Sequence, residues 1–436
     1  MYCILQEIDC GCREYCMNIT LMAFGSRGDI QPFLALAVAL KERGHAVTLA
    51  APTDFESLIK AHAVPYAPIL FNAQEFVQRS TSNNERKRQH PFAMFQTMRD
   101  ALPEIKRSFA AAADALIEAA RGADLIFAHG LSLPFSYSIH QHLNIPLMLG
   151  IAAPVVSTRY FPSPMFKPIP IGGRFYNPLT YEVLTRGIWF AMKTPMNEFR
   201  RRIDLPPITL TQLTRVLFDG QFPLIMHYSS YLNPAPPDWN PNVHVAGAWR
   251  LPAPADWTPP EALSQFLAQG DAPVYVGFGS MIVPKAAHIM QTITDALRTL
   301  KLRGVVQSGW GGLTAQDDHM ITIGDAPHDW LFPRMQAVIH HGGSGTTHSA
   351  LMAGKPSLVI PIMADQPFWG RRLAALGVAP PMIPPKKVTP EGIVAALRAM
   401  TQDTAMRQRA ADYGALLRAE DGLGAAVSLI EQHVMT

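Results

Sequence analysis

Cysteine is scarce in this 436-residue chain, and all four residues, Cys3, Cys10, Cys12 and Cys16, fall within the first sixteen positions. Their spacing matches no zinc pattern, and no histidine pair accompanies them. Residues 1–16 therefore read as an extension outside the fold, either a tail or an upstream start, with the folded chain beginning at Met17. The cysteine-free remainder needs no oxidising compartment. The chain also lacks any apolar run near the roughly 18–20 residues that a membrane-spanning helix requires. Phe33–Leu40 and Ile145–Val156 come nearest and are short. Glu7 and Asp9 stand where a signal peptide would have a basic and then an apolar region, so the expectation is a cytoplasmic protein. A dominant sign of charge is missing as well. The net charge of +3 argues against a nucleic-acid partner.

Hydrophobic residues make up 48% of the chain and charged residues 16%, which excludes disorder and supplies a large core. From Asn18 the order is strand, glycine turn, helix, strand. Ile19–Phe24 is apolar, Gly25–Asp29 is a loop, Pro32–Arg43 has helical spacing, and Ala46–Ala51 is the next strand. Such a unit of about thirty residues implies a parallel sheet. Helix Ala101–Ala120, strand Asp124–Ala128, helix Phe135–Leu143 and strand Pro146–Ile151 continue the pattern. Residues 152–215 break it with prolines, glycines and aromatics, and read as an irregular functional region. The proline-rich stretch Asn233–Pro260 reads as a linker.

The alternation then restarts. Strands are expected at Pro273–Phe278, Gly304–Gln307, Met320–Ile323, Ala337–His340 and Ser357–Ile362. Helices are expected at Lys285–Leu300, Thr346–Ala353, Gln366–Leu376 and Pro390–Met400, with further helix over Ala405–Val434. The reading is α/β: two doubly wound Rossmann-like halves at 17–240 and 261–415, a linker at 241–260, and a terminal helix at 416–436 packing back on the first half. Ligands in such sheets sit beyond the strand carboxyl ends, hence in the cleft between the halves.

The most specific stretch is His-His-Gly-Gly-Ser-Gly-Thr-Thr at 340–347, after an apolar strand and at the start of a helix. Its glycines permit close backbone approach. The exposed first-turn amides and the helix dipole make an anion site. Ser344, Thr346, Thr347 and His341 add side-chain donors. It lacks the Gly-Lys-Ser/Thr ending of a Walker loop and the glycine spacing of a dinucleotide fingerprint. A glycine turn that merely packs a helix on a sheet is the plainer alternative. Gly277-Phe278-Gly279-Ser280 ends the first strand of the same half and can supply a second anion-binding turn, which suits a diphosphate.

Three segments together, Asp-Ala-Pro-His-Asp-Trp-Leu-Phe-Pro-Arg-Met (325–335), the 340–347 motif and Asp-Gln-Pro-Phe-Trp-Gly (365–370), resemble the donor signature of UDP-glycosyltransferases. The pattern is similar above all to the sterol 3-β-glucosyltransferase and antibiotic-aglycone branches. Gly-Ser-Arg-Gly-Asp-Ile-Gln-Pro (25–32) resembles their front end, so the likeness runs from Met17 to about residue 400. It implies the GT-B fold, an inverting mechanism, a nucleoside-diphosphate sugar as co-substrate, and no cofactor or metal. The absence of any Asp-X-Asp element agrees with the last point. The resemblance puts His341, Gly343, Ser344, Gly345 and Thr346 on the diphosphate, Asp365 and Gln366 on the sugar hydroxyls, and Ser26, Gly28, Gly279, Ser280, Trp310 and Ala326 among the other donor contacts. A carboxylate and an amide together offer both acceptors and donors to a sugar, although Asp365 also suits a helix N-cap. Plant members carry a glutamate for the ribose diol where this chain has Ser349, which weakens discrimination between uridine and thymidine donors.

Inversion requires a base for the acceptor hydroxyl. Where many members have a histidine after the front-loop glycine, this chain has Asp29, as sterol and antibiotic glycosyltransferases do. Asp29 is the expected base, and it is equally suited to N-cap the helix that begins near Ile30. His129, at the end of its strand, either forms a dyad with Asp29 or lines the cleft without catalytic duty. Residues 151–202 hold eight Lys/Arg against two Glu, with many aromatics. They read either as a lipophilic acceptor site, with Phe161, Phe166 and Tyr176 against the acceptor and a rim touching anionic membrane, or as a solvated basic face. The expected acceptor is a sterol, polyketide or flavonoid, and the expected state a monomer or weak dimer. Transfer from a dTDP-deoxysugar, an epimerase activity, and non-catalytic binding on the same fold are the alternatives.

Overall fold

A computed structural model describes residues 16–70, 72–75, 112–170, 172–218, 222–254, 257–283, 285–315 and 317–435. The amino-terminal half carries seven strands: β1 Asn18–Met22, β2 Ala46–Pro52, β3 Tyr66–Ile69, β4 Leu125–His129, β5 Leu147–Ile151, β6 Leu224–Met226 and β7 Val243–Val245. They form one sheet in the order β3-β2-β1-β4-β5-β6-β7, and every pairing is parallel. The second half has β8 Val274–Gly277, β9 Gly304–Gln307, β10 Met320–Ile323, β11 Ala337–His340 and β12 Ser357–Val359, in the parallel order β10-β9-β8-β11-β12. β4, β8, β9 and β11 are buried at every position. Helices cover both faces of such sheets, so their central strands are continuous apolar runs rather than alternating ones.

Strand order reverses between β1 and β4 in the first sheet and between β8 and β11 in the second. Loops leaving neighbouring strands at a reversal diverge to opposite faces and open a crevice, where doubly wound folds place their ligands. Met22 pairs with Ala128, and Gly277 with His340. Asp29 follows β1, His129 ends β4, Gly279–Ser280 follow β8, and the 341–346 cradle follows β11.

Several expectations are corrected. Residues 152–215 are not irregular throughout: Gly173–Arg202 is one thirty-residue helix with Pro178 and Pro195 inside it, followed by a helix at Leu210–Phe218. An internal proline costs about 3 kcal/mol. Burial of Tyr181, Met192, Met196 and Phe199 offsets that cost. The proline-rich stretch expected to be linker contains β7, which completes the first sheet by pairing with β6. The terminal helical segment is divided at Glu420–Asp421 into Thr404–Ala419 and Gly422–Met435. Of the expected helix Ala101–Ala120, residues 112–120 are described and are helical, and the rest lies outside the described residues, as do Cys3, Cys10 and Cys12.

The last helix lies on Arg27–Glu42 of the first half, where Glu431 accepts from Arg43 at 3.0 Å and sits 3.2 Å from the His45 ring. One apolar cluster crosses the boundary between the halves. It joins Met226 and Tyr228 with Leu351, Phe368 and Trp369. Polar ties reinforce it: the Ser229 amide donates to His348 Nε2 at 3.0 Å, Arg372 Nε to the Leu232 carbonyl at 2.7 Å, and Trp249 Nε1 to the Gly422 carbonyl at 3.1 Å. No described helix is long and apolar enough to cross a membrane.

Candidate active site

The helix after β1 begins at Arg27, so its N-cap is Ser26 and Asp29 occupies the third helical position rather than the cap. The Asp29 carboxylate folds back: Oδ2 accepts from the Ser26 amide at 2.7 Å and from its hydroxyl at 3.0 Å. This reciprocal arrangement fixes the side chain. Gly25, at φ +124°, is required beside it, because a Cβ there would collide with Oδ2. Oδ1 is directed at His129 Nε2, 3.5 Å away. His129 Nδ1 accepts from the Leu131 amide at 3.4 Å, which leaves the ring proton on Nε2, facing the carboxylate. Burial lowers the His129 pKa, against the opposing pull of the Asp29 charge and a hydrogen bond to the Phe24 backbone, so the ring is neutral at pH 7.

In the second half, the helix Ser344–Met352 follows β11 and is capped by Gly343, with no side-chain hydrogen bond over its first turn. Its leading amides face outward, and a Cβ at Gly345 would meet nothing within 4 Å. Gly342, at φ +89°, passes so close to the next loop that a Cβ would stand 2.6 Å from Val359 and 3.0 Å from the Gln366 carbonyl. The cradle and the 365–366 loop are thereby packed together. The His341 ring lies between Gly279 and Gly343, and its Nδ1 is buried with no hydrogen-bond partner among the described residues. An orphaned buried nitrogen beside an uncapped helix terminus fits a diphosphate oxygen. Burial holds His341 at about 4, so it offers a neutral imidazole.

Asp365 precedes the helix Gln366–Ala375 and accepts from Trp369 Nε1 at 2.7 Å. Burial pushes its pKa up to about 6. The Trp369 bond opposes that rise, and the Asp29 charge adds to it, so the two acids sense each other across the halves. Gln366 Oε1 accepts from the amides of Ile362 and Met363 at 2.7 and 2.9 Å, which leaves only its NH₂ for a sugar. Ala364, just before the acid, is held at φ +54°, a strained conformation for alanine of the kind that collects at functional loops.

The structure thus brings together Asp29 with His129, and Gly279, Ser280, His341 and Gly343–Thr346 with Asp365 and Gln366. Trp310 joins the same turn by donating its amide to the Gly279 carbonyl at 3.1 Å, and Ala326 is buried beyond β10. The Ser26 hydroxyl is spent on Asp29, and Gly28 sits in the same helical turn. Ser349 is half-buried along the cradle helix. Of the three aromatics, Phe161 meets Phe368 at 6.2 Å, the Phe166 carbonyl takes Arg371 at 3.1 Å, and the Tyr176 hydroxyl closes its own loop on the Lys167 carbonyl at 2.9 Å. Three further residues escape a reading of the sequence. Arg27 pairs with Asp325 across the cleft. His348, held neutral near 4, donates from Nδ1 to the Ser344 carbonyl and accepts from Ser229. Buried His227, lowered to about 3, stacks on Trp249 at 4.6 Å. Their positions near strand ends and in the cradle helix are visible in the sequence, but their contacts come from distant segments.

Two parallel α/β halves with their loops gathered at both strand reversals, an uncapped helix terminus on one side and a fixed carboxylate on the other, define a GT-B glycosyltransferase. Known proteins agree. Residues 19–138 match the glycosyltransferase family 28 N-terminal domain, and residues 311–420 match the erythromycin biosynthesis protein CIII-like C-terminal domain. The chain is 32% identical over 429 residues to the sterol 3-beta-glucosyltransferase UGT80B1 of Arabidopsis thaliana, covering 96% of this chain and 68% of that protein. It is 29% identical to the sterol 3-beta-glucosyltransferase of Pichia angusta, covering 95% of this chain but 33% of that one. Among solved structures, the glycotransferase of kitacinnamycin superposes with a TM-score of 0.68 at 18% identity, covering 96% of this chain and 98% of that one. The spinosyn rhamnosyltransferase SpnG gives 0.64 at 17%, covering 95% and 100%. The chain belongs to the UDP-glycosyltransferase superfamily.

Proposed function

We propose that this chain is an inverting glycosyltransferase that moves a hexose, first of all glucose from UDP-glucose, to the hydroxyl of a lipophilic acceptor. A sterol is the first acceptor class to try, since relatives that match along nearly the whole chain are named for sterol glucosylation. The observation that carries the reading is the Arg27–Asp325 pair across the cleft, because it holds the helical turn that carries Asp29 against the half that carries the cradle and Asp365. Asp29 takes the acceptor proton, the acceptor oxygen bonds to the anomeric carbon, and the bond to the diphosphate breaks with both electrons leaving on the nucleotide. Neutral His129 faces Asp29 Oδ1 with Nε2 at 3.5 Å, and Ser26 holds the other oxygen. The amides of residues 344–346 and the His341 ring take up the leaving charge in place of a metal. Asp365 and the Gln366 NH₂ hold sugar hydroxyls. The acceptor side is the first half up to β7, the donor side begins near residue 261, and the protein touches membrane only peripherally. A screen of donors and acceptors read by mass spectrometry tests this. A mass gain of one hexose with UDP-glucose and a sterol is expected, and release of free sugar without any acceptor would replace transfer by an epimerase-type activity. A second reading, transfer from a dTDP-sugar, is favoured by Ser349, which offers no carboxylate to a ribose diol.

A further inference from the structure

The helix Gly173–Arg202 leaves large apolar side chains in solvent: Phe175 is 83% exposed, Leu179 57%, Val183 41% and Phe190 64%. At 3.6 residues per turn these four fall on one face, along about 22 Å of helix. Arg186 and Lys193 share that face and both are exposed, Arg186 paired with Glu182 at 2.7 Å. The loop before the helix adds exposed Met165 and Ile169. At the start of the helix a pocket of about 400 Å³ opens between the halves. Arg159 and Arg174 line it from one side and Arg371 and Arg372 from the other, over Ile169 and Phe368, with no acidic residue among the described residues of its wall. Arg371 and Arg372 are held there by backbone carbonyls at 3.1 and 2.7 Å. Residues 151–202 hold eight Lys/Arg against two Glu, a surplus of six positive charges on a chain whose net charge is +3.

We propose that this face docks on an anionic phospholipid bilayer, the helix lying in the interface and the arginine pocket seating a lipid headgroup phosphate. The exposed apolar residues make one stripe along the helix, with Arg186 and Lys193 following on the same face. That is the pattern of a helix lying flat in headgroups, where rings and leucines enter the acyl boundary while basic chains stay with the phosphates. A pocket walled by four arginines and no described acid favours a phosphate surface over an apolar protein partner. Guanidinium forks match phosphate oxygens, and the apolar floor of the pocket suits the glycerol and first methylenes behind them. Docked in this way, the pocket, whose wall also holds Phe161 and Phe368, lies at the phase in which an apolar acceptor dissolves. The inference names the lipid and the surface for the peripheral contact proposed above, and it does not depend on which sugar is transferred.

Flotation with vesicles of phosphatidylcholine alone and of phosphatidylcholine mixed with phosphatidylglycerol tests it on the full chain. Binding to the mixed vesicles, weakened by salt, and little binding to the neutral ones is expected. The triple variant F175S/L179S/F190S should lose at least about tenfold in partitioning, with its thermal midpoint and its turnover of a detergent-solubilised acceptor kept. R159E/R174E should lose the preference for anionic vesicles. Wild type that ignores lipid charge, or a triple variant that floats as well as wild type, overturns the proposal. If no acceptor is ever glycosylated while charge-dependent flotation persists, docking stands and the transferase reading fails.

Discussion

Replacing Asp365 by asparagine should make the unliganded protein more stable at neutral pH while weakening its hold on the donor. In the native state, burial raises the carboxyl from 3.8 to about 6. At a pH below 3.8 both native and unfolded chains hold the proton, and the group contributes nothing that varies. Between 3.8 and about 6 the unfolded chain releases its proton while the native chain keeps it, so native stability falls as pH rises. Above that window the native state carries the full penalty. The shift is about 2 units at about 1.4 kcal/mol each, hence at most about 3 kcal/mol, and about 1–3 once the partial exposure of the side chain is counted. The asparagine amide keeps an oxygen for Trp369 Nε1 and has no charge to desolvate. Urea unfolding of both proteins across this pH range should show a small gap at about pH 4 that widens in favour of Asp365→Asn and levels off above about pH 6. The donor KM should move the other way, rising about tenfold or more, because a hydrogen bond to a charged group is worth about 1.5–3 kcal/mol. A stability gap that does not change with pH, or an unchanged KM, would refute the reasoning: the first denies the desolvated carboxylate, and the second denies its contact with the sugar.

Asp29→Asn should cut kcat by about 10²–10⁴ with donor affinity nearly unchanged by calorimetry, since the base acts only on the acceptor hydroxyl; retention of most of the turnover would remove Asp29 from that role. Activity should survive EDTA, because amides and His341 stabilise the leaving group; an absolute requirement for Mg²⁺ or Mn²⁺ in a metal-depleted assay would contradict this. dTDP-glucose should be used at a detectable rate beside UDP-glucose, and Ser349→Glu should sharpen the uridine preference in competition assays; outright rejection of dTDP-glucose by wild type would mean that another residue reads the ribose. A chain beginning at Met17 should stay soluble and turn over like the full chain, and insolubility would show the cysteine segment to be structural.

The second half is the more legible in the sequence. β9 and β11 fall where their apolar runs lie, since a strand buried on both faces has little but apolar residues to offer. The cradle is legible for the same reason: glycines directly after such a strand have few uses. The Gly173–Arg202 helix is not, because prolines at 178 and 195 are local breakers and only the distant surfaces that bury Tyr181 and Phe199 outweigh them. β7 is hidden because a three-residue strand in a proline-rich stretch carries no periodic signal. Asp29 suits a cap by residue type, but the chain turns helical three residues earlier through Ser26, and a boundary shift of that size is beyond what propensity resolves. Gln366 offers a whole amide on paper, yet half of it is spent on its own loop.

The distance between the proposed base and the sugar-holding acid is fixed by neither half alone. Asp29 rides on the first sheet and Asp365 on the loop after β12, so their relation depends on whatever joins the halves. On the side of β6 that junction is apolar and closed, with Tyr228 against Trp369 at 5.5 Å and His348 bonded to Ser229. At the cleft edge it is the Arg27–Asp325 pair, both members of which reach solvent. A buried junction resists change because separating it exposes ring surface, whereas an exposed ion pair of this kind is typically worth about 1 kcal/mol or less. Opening and closing of the cleft should therefore pivot about the Trp369 side and be gated at Arg27. Trp369 also donates to Asp365, and so the pivot itself carries the acid proposed to grip the sugar. A motion about that point changes access to the diphosphate cradle far more than it changes the setting of Asp365.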